Sequence, residues 1–289
     1  MIHEVTAKTL LSSAKRPDPW FGIKYTMNLY RGCQHQCIYC DSRSECYQIE
    51  NFADVLVKVN AIALLKKELP RKRVKGTIGT GSMSDPYLPL EATRRLTAQA
   101  LEVIAEQQFP LHALTKSDLV VRDLDTLRHI ARVYAAVSFT ITTADDELGK
   151  KVEPGAPLVS RRFAALSKLA EAGLLTGVLM MPVLPFIEDN AENITAIVTR
   201  AKDCGATYIL AAFGMTLRDR QRAYYYAQLD RLFPGLRRQY EQQFGPRYSA
   251  SAQAASRLEQ IFREACAQHG IATRMPFYEP APPLQPALF

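Results

Sequence analysis

Long apolar runs are missing from this sequence. The longest, residues 174–178 continued by 179–183, and residues 208–215, fall well short of the ~18 residues a membrane-spanning helix needs. Near the start only Leu10 and Leu11 stand side by side, too little for the core of a signal peptide, so a cytoplasmic location is expected. Cysteine is scarce: six in 289 residues are too few for a disulfide scaffold. In a reducing compartment, clustered thiols bind metal more often than they pair. Internal repeats and low-complexity blocks are absent as well. The charge imbalance is moderate. Lys and Arg number 36 against 29 Asp and Glu, a net +7 that permits an anionic partner without demanding one. With 47% hydrophobic and 22% charged residues, a disordered chain, a fibre and a coiled coil are excluded.

What is present is alternation. Apolar, β-branched runs at 25–30, 74–80, 109–114, 135–142, 174–183 and 208–213 read as six strands. Between them, helical spacing covers 54–69, 91–107 and 123–134. A further helix starts from an N-cap at Ser160 and is closed by Gly173, and another covers 191–204 and is closed by Gly205. Six such alternations indicate a wound α/β fold, compatible with an open sheet or with a closed or partly closed barrel. After residue 216 the pattern is helical, at 219–232, 235–244 and 251–269. The last helix carries Leu258, Ile261, Phe262, Ala265 and Cys266 on one stripe, so Cys266, like Cys204, reads as a core thiol. Five prolines from Pro276 onward predict an extended tail, lying on the body or disordered. The expected organisation is a lead segment 1–21, a core 22–215 and a helical extension with a Pro-rich tail, 216–289.

The remaining cysteines are concentrated. Cys33, Cys37 and Cys40 form C-x3-C-x2-C directly after the first strand, with Cys46 six residues on. Three thiolates on a tight loop can ligate three irons of a cubane cluster and leave the fourth iron open to an external ligand. Structural zinc wants four ligands, which His35 or Cys46 would have to complete. Both readings remain open on spacing alone.

The motif, with Tyr39 just before its last cysteine and at the end of the first strand of a β/α series, resembles the radical S-adenosylmethionine (SAM) superfamily. Within it the sequence looks most like the spore photoproduct lyase-related branch. The resemblance rests also on residues 79–87 (GTGSMSDPY), 114–117 (LTKS), 138–140 (SFT) and 153–157 (EPGAP). It covers roughly residues 22–215 and implies a partial TIM-type barrel of six β/α units, with the site at the C-terminal strand ends. It implies a [4Fe-4S] cluster on Cys33, Cys37 and Cys40 that reductively cleaves SAM to a 5′-deoxyadenosyl radical, which abstracts hydrogen from a substrate. It further implies that Tyr39 packs beside the adenine or the cluster, that Gly79 and Gly81 let SAM approach the backbone, and that Ser84 and Lys116 meet its amino and carboxylate groups. Ser138 or Thr140 would reach the ribose, and Glu153 with Arg161 would form a pair on the SAM side. A flavodoxin or ferredoxin would donate the electron.

The sequence also departs from the lyase pattern. Ser82 stands where the lyase has a hydrogen-donating cysteine, and Asp41 where it has a tyrosine, so spore-photoproduct repair itself is not expected. Asp145 and Asp146 read as a loop or helix cap rather than catalytic acids. The segment 218–248, rich in Arg and Tyr, suits phosphate contact and base stacking, and equally suits amphipathic helices packed on the barrel. The expected substrate is a nucleic-acid base or lesion. The alternatives are a small molecule or peptide for the same chemistry, or a non-enzymatic iron–sulfur or zinc protein. No residue is singled out as the catalytic acid, base or hydrogen donor.

Overall fold

A computed structural model describes residues 1–280. Two short strands come first, β1 (Ile2–Val5) and β2 (Leu11–Ser13), then β3 (Ile23–Met27), β4 (Tyr30–Arg31) and β5 (Val55–Lys58). The later strands are β6 (Thr77–Thr80), β7 (Leu111–Thr115), β8 (Ala135–Thr140), β9 (Leu175–Met180) and β10 (Tyr208–Ala211). The central sheet has seven strands in the order β10-β9-β8-β7-β6-β3-β2. Six are parallel, and β2 runs antiparallel along β3. The two edge strands do not meet, so this is an open, partial barrel, as the resemblance implies.

The helices cross between the parallel strands as the alternation predicts. They are α1 (Ala61–Glu68), α2 (Glu91–Arg94), α3 (Leu96–Glu106), α4 (Leu124–Ala131), α5 (Asp146–Val152), α6 (Val159–Glu171) and α7 (Ala191–Asp203). Every residue of β8 is buried, because helices cover one face of the sheet and the barrel interior the other. On α3, Leu96, Ala100, Leu101, Val103 and Ile104 turn inward, each large side chain contributing roughly 1.5–3 kcal/mol of burial. Within the barrel, Gly177 has no side chain, and a Cβ there would lie 2.2 Å from the Tyr208 ring. The space it leaves holds a buried polar chain: the Tyr208 hydroxyl lies 2.6 Å from Ser138 Oγ, which lies 2.8 Å from His112 Nε2.

Three local expectations are corrected. The stretch 54–69 is not one helix. Val55 and Val57 alternate with Leu56 and Lys58 at period two, and β5 pairs with β1 and β4 in a separate three-stranded sheet. The span 91–107 breaks at Arg95, which takes a left-handed conformation between α2 and α3. Ser160 is not an N-cap; it lies in the first turn of α6, where its N–H and hydroxyl donate to Asp146.

The C-terminal extension is helical, with α8 (Asp219–Leu232), α9 (Leu236–Phe244) and α10 (Ala255–His269), but it also holds a strand pair the sequence reading lacks. β11 (Gly214–Thr216) pairs antiparallel with β12 (Ser249–Ser251). After α10 the chain returns to the barrel: Ile209 N–H donates to the Ala272 carbonyl and Ala272 N–H to the Thr207 carbonyl, which covers the β10 edge. Pro276 lies on the body, its carbonyl accepting from the Tyr134 hydroxyl. The prolines at 282, 283 and 286 lie outside the described residues.

Candidate active site

The cysteine loop starts at Gly32. Its φ of +80° and a hypothetical Cβ only 2.0 Å from the Asp54 carbonyl oxygen admit only glycine without a shift. The loop that follows is held from both sides. Leu90 N–H donates to Gln34 Oε1, Ile38 N–H to the Val152 carbonyl, and Gly155 N–H to the His35 carbonyl. Ser84 Oγ donates to the Gly32 carbonyl at 2.9 Å. So fixed, Cys33, Cys37 and Cys40 line a cavity of about 610 Å³ at the C-terminal ends of the barrel strands. Gly81, Ser84, Lys116, Thr140 and Tyr39 line the same cavity.

Two buried carboxylates organise its charged wall. Asp85 accepts from Thr115 Oγ1 and Lys116 N–H, both at 2.7 Å, and from Tyr87 N–H at 2.8 Å. His35 Nε2 stands 3.1 Å from Asp85 Oδ2, off the line of an aligned hydrogen bond, while Nδ1 faces the Gly155 carbonyl at 3.1 Å. Burial alone pushes the Asp85 carboxyl up, but the His35 ring and the converging donors outweigh it and bring the group down to about 2. Glu153 is the second hub. It accepts from the Tyr39 hydroxyl, pairs with Arg162, and lies 3.8 Å from Lys116 Nζ. Burial opposes its charge, yet Arg162, Lys116 and the Tyr39 hydroxyl hold it below the usual carboxylate range. Burial works against the Lys116 ammonium, but Cys37 and Glu153 facing it outweigh that and shift the group up.

The structure separates other residues from this cavity. Gly79 does not line it; a Cβ there would meet Ile23 Cδ1 at 2.3 Å, so the glycine accommodates a packed isoleucine. Ser138 is one layer deeper than Thr140 on the same strand face, and its hydroxyl is engaged with His112 and Tyr208. Arg161 is not the partner of Glu153: it pairs with Asp118, and the next residue, Arg162, turns inward. Cys46 is exposed, 3.3 Å from Arg218 Nη1, and outside the lining. Asp145 caps α5 and Asp146 accepts from Ser160. Cys266 is buried, while Cys204 is partly exposed.

Other parts were not visible in the sequence. The β11–β12 pair roofs the cavity through Gly214–Thr216 and Ser249–Ser251. Phe21, Leu179, Met181, Phe213 and Met215 give an apolar wall. The arginine-rich segment is largely occupied within the molecule. Arg218 pairs with Asp41, Arg220 donates to the Ile49 carbonyl, Arg222 caps carbonyls from Gly245 to Arg247, and Arg237 pairs with Asp230 and Glu241. Tyr225, Tyr226 and Tyr240 are buried beside the cysteine loop.

Three thiols on one loop that line one cavity are a donor set able to ligate three irons of a cluster. Among the described residues, no group of three or more His, Cys, Asp or Glu is placed to hold a single metal ion. Burial pushes Cys33 up to about 12 and raises Cys37 and Cys40 too, so binding metal there releases protons.

Near the roof, Glu188 accepts from Leu184 N–H and Thr142 Oγ1, and burial pushes it up to about 8. Its folded value lies above the ordinary 4.5, so its contribution to stability is full at low pH and is lost as pH rises toward about 8. Glu188→Gln is expected to remove that decline. Thermal unfolding at about pH 5 and about pH 9 should show the variant gaining on the parent by on the order of a few kcal/mol. An unchanged gap between the two would mean Glu188 is not neutral in the folded state.

Comparison with known proteins agrees with this architecture. An uncharacterized protein of Mycobacterium tuberculosis is 32% identical over 249 residues, 83% of this chain and 72% of the relative. One from Methanocaldococcus jannaschii is 35% identical over 191 residues, 65% of this chain and 70% of the relative. The fold is similar to that of a spore photoproduct lyase mutant solved with dinucleoside spore photoproduct. The TM-score is 0.69 at 19% identity, covering 93% of this chain and 79% of that one. Residues 27–196 match the radical SAM superfamily, a span that takes in the cysteine loop and the strand ends around it, and the chain belongs to that family of radical enzymes.

Proposed function

We propose that the cavity cleaves SAM reductively, with Cys33, Cys37 and Cys40 holding a [4Fe-4S] cluster and SAM lying against Gly81, Ser84, Lys116 and Thr140. A cluster of this kind supplies one electron to the SAM sulfonium and thereby a carbon radical able to abstract hydrogen from a substrate. The observation that carries this reading is that three thiols and a partly buried lysine line one cavity. Lys116 offers a carboxylate a charge-assisted contact. Ser84 spends its proton on the Gly32 carbonyl and keeps lone pairs for a donor. The roof strands limit water near a reactive radical. A relative in fold, spore photoproduct lyase, has been solved with bound AdoMet.

The apolar wall suits an uncharged substrate group. A nucleobase satisfies it, which keeps the nucleic-acid reading first; an apolar side chain of a peptide or a small molecule is the second. Ser82, which lines the cavity in place of a thiol, speaks against spore-photoproduct repair itself. A flavodoxin or ferredoxin is the proposed electron donor.

Anaerobic reconstitution tests the core of the reading. The expected product is a brown protein with about four irons that forms 5′-deoxyadenosine from SAM after dithionite, and Cys37→Ala should abolish that product. A colourless protein carrying one zinc would rule the reading out. Deuterium from labelled candidate substrates, followed into 5′-deoxyadenosine, then identifies the hydrogen donor.

A further inference from the structure

The positive charge of this protein is concentrated away from the cysteine cavity. Residues 7–24 and 64–76 hold ten Lys and Arg against two acids, a balance of +8, while the whole chain carries +7. The remainder is therefore close to neutral. The fold brings the two stretches together at the sheet edge, where β2 and its flanking loops lie beside α1 and the turn after it. Lys8, Lys67, Arg71 and Lys72 surround one hollow of about 360 Å³ there. Lys72 also reaches Ser13 Oγ at 3.4 Å, which ties the second stretch to the first, and within the first stretch Lys24 Nζ donates to the carbonyls of Ala14 and Lys15.

Both acids of this surface are turned onto backbone amides. Glu68 accepts from Leu10 and Leu11 N–H, and Asp18 from Trp20, Phe21 and Ile23 N–H. None of the ten cations forms a salt bridge among the described residues. Unpaired like charges at this density repel one another, and a polyanion relieves the repulsion. One further feature separates a nucleic acid from other polyanions. Trp20, the single tryptophan of the chain, lies within the basic stretch and is 48% exposed. An exposed indole among cations is the pairing that holds single strands, with stacking for a base and charge for the phosphates. The next residue, Phe21, is among those that line the cavity.

We propose that this sheet-edge surface binds single-stranded nucleic acid, with Trp20 stacking on a base and Lys67, Arg71 and their neighbours on phosphates. The proposal places nucleic-acid contact here and not on the arginine-rich C-terminal segment. It does not require SAM cleavage, so the two can fail separately.

The test adds a short single-stranded oligodeoxynucleotide to the full-length protein, as purified and after reconstitution. Trp20 emission should be quenched. If about five phosphates are neutralised, affinity should fall about 100-fold between roughly 50 and 200 mM salt. By anisotropy of a labelled oligonucleotide, Trp20→Ala and the exposed pair Lys67→Glu/Arg71→Glu should each bind at least about 10-fold more weakly. Arg238→Glu/Arg247→Glu should bind within about twofold of the parent. No quenching and no binding at the lowest salt would overturn the proposal. So would loss of binding in the C-terminal pair alone, or equal binding of poly-glutamate or anionic vesicles, which would mark a surface for acidic proteins or membranes.

Discussion

Glu153→Ala is expected to lower folding stability by about 3–5 kcal/mol, because it strands a buried guanidinium. Glu153 and Arg162 are each only 1% exposed and face each other across the loop after α5. Without the carboxylate, Arg162 keeps only the carbonyls of Pro157 and Thr140, and Tyr39 loses the acceptor of its hydroxyl. Removing one partner costs far more than the net worth of the pair, since the survivor remains desolvated. For a chain of this size the thermal midpoint should drop by roughly 5–8 °C. The double variant Glu153→Ala/Arg162→Met should recover much of the loss, because it removes the stranded charge as well. A single variant within about 1 kcal/mol of the parent would show that the pair behaves like a surface ion pair, contrary to its burial.

The second large effect is on iron uptake. At Gly155 a Cβ would lie 2.1 Å from the Gln34 carbonyl oxygen and 3.0 Å from His35 Cα, both in the backbone of the cysteine loop. Backbone cannot yield as a flexible side chain does, so Gly155→Ala has to push the loop between Cys33 and Cys37 outward. The two hydrogen bonds between Gly155 and His35 stretch with it. Reconstitution should then bind several-fold less iron, while far-UV circular dichroism stays that of a folded α/β protein. Gly235→Ala serves as the comparison. Nothing lies within 4 Å of a Cβ there, although φ is +84°, so it should cost about 1 kcal/mol and leave iron binding unchanged. Equal iron uptake by Gly155→Ala and the parent would mean that the contact does not set the loop.

The parallel strands were legible because a sheet covered on both faces demands near-continuous apolar runs, and 135–140 or 208–211 satisfy that demand locally. Helix ends marked by glycine were legible for a different local reason, the left-handed turn that glycine accepts without strain: Gly173 and Gly205 stand just past α6 and α7 with positive φ. The failures have equally physical causes. Val55–Lys58 is short, and its period of two shows only against the partners β1 and β4, which lie far away in sequence. Ser249–Ser251 has no strand composition; it is a strand because β11 supplies the ladder. Arg161 and Arg162 are indistinguishable by type, and the phase of α6 against the sheet decides which one is buried.

The same division runs through the site. The C-x3-C-x2-C spacing is local, so three thiols on one loop could be read from the residues alone, while the family resemblance pointed to Gly81, Ser84, Lys116 and Thr140, which line the cavity, and to Gly79 and Ser138, which do not. Packing was needed to bring Glu153, Arg162 and Tyr39 into one buried network, to set Ser138 beneath the cavity, and to engage much of the Arg-rich segment within the molecule, as where Arg218 pairs with Asp41. Those outcomes depend on which desolvated charge meets which partner across more than a hundred residues of chain, as between Tyr39 and Glu153. No local pattern encodes such a pairing, because its energy arises only when packing removes both groups from water.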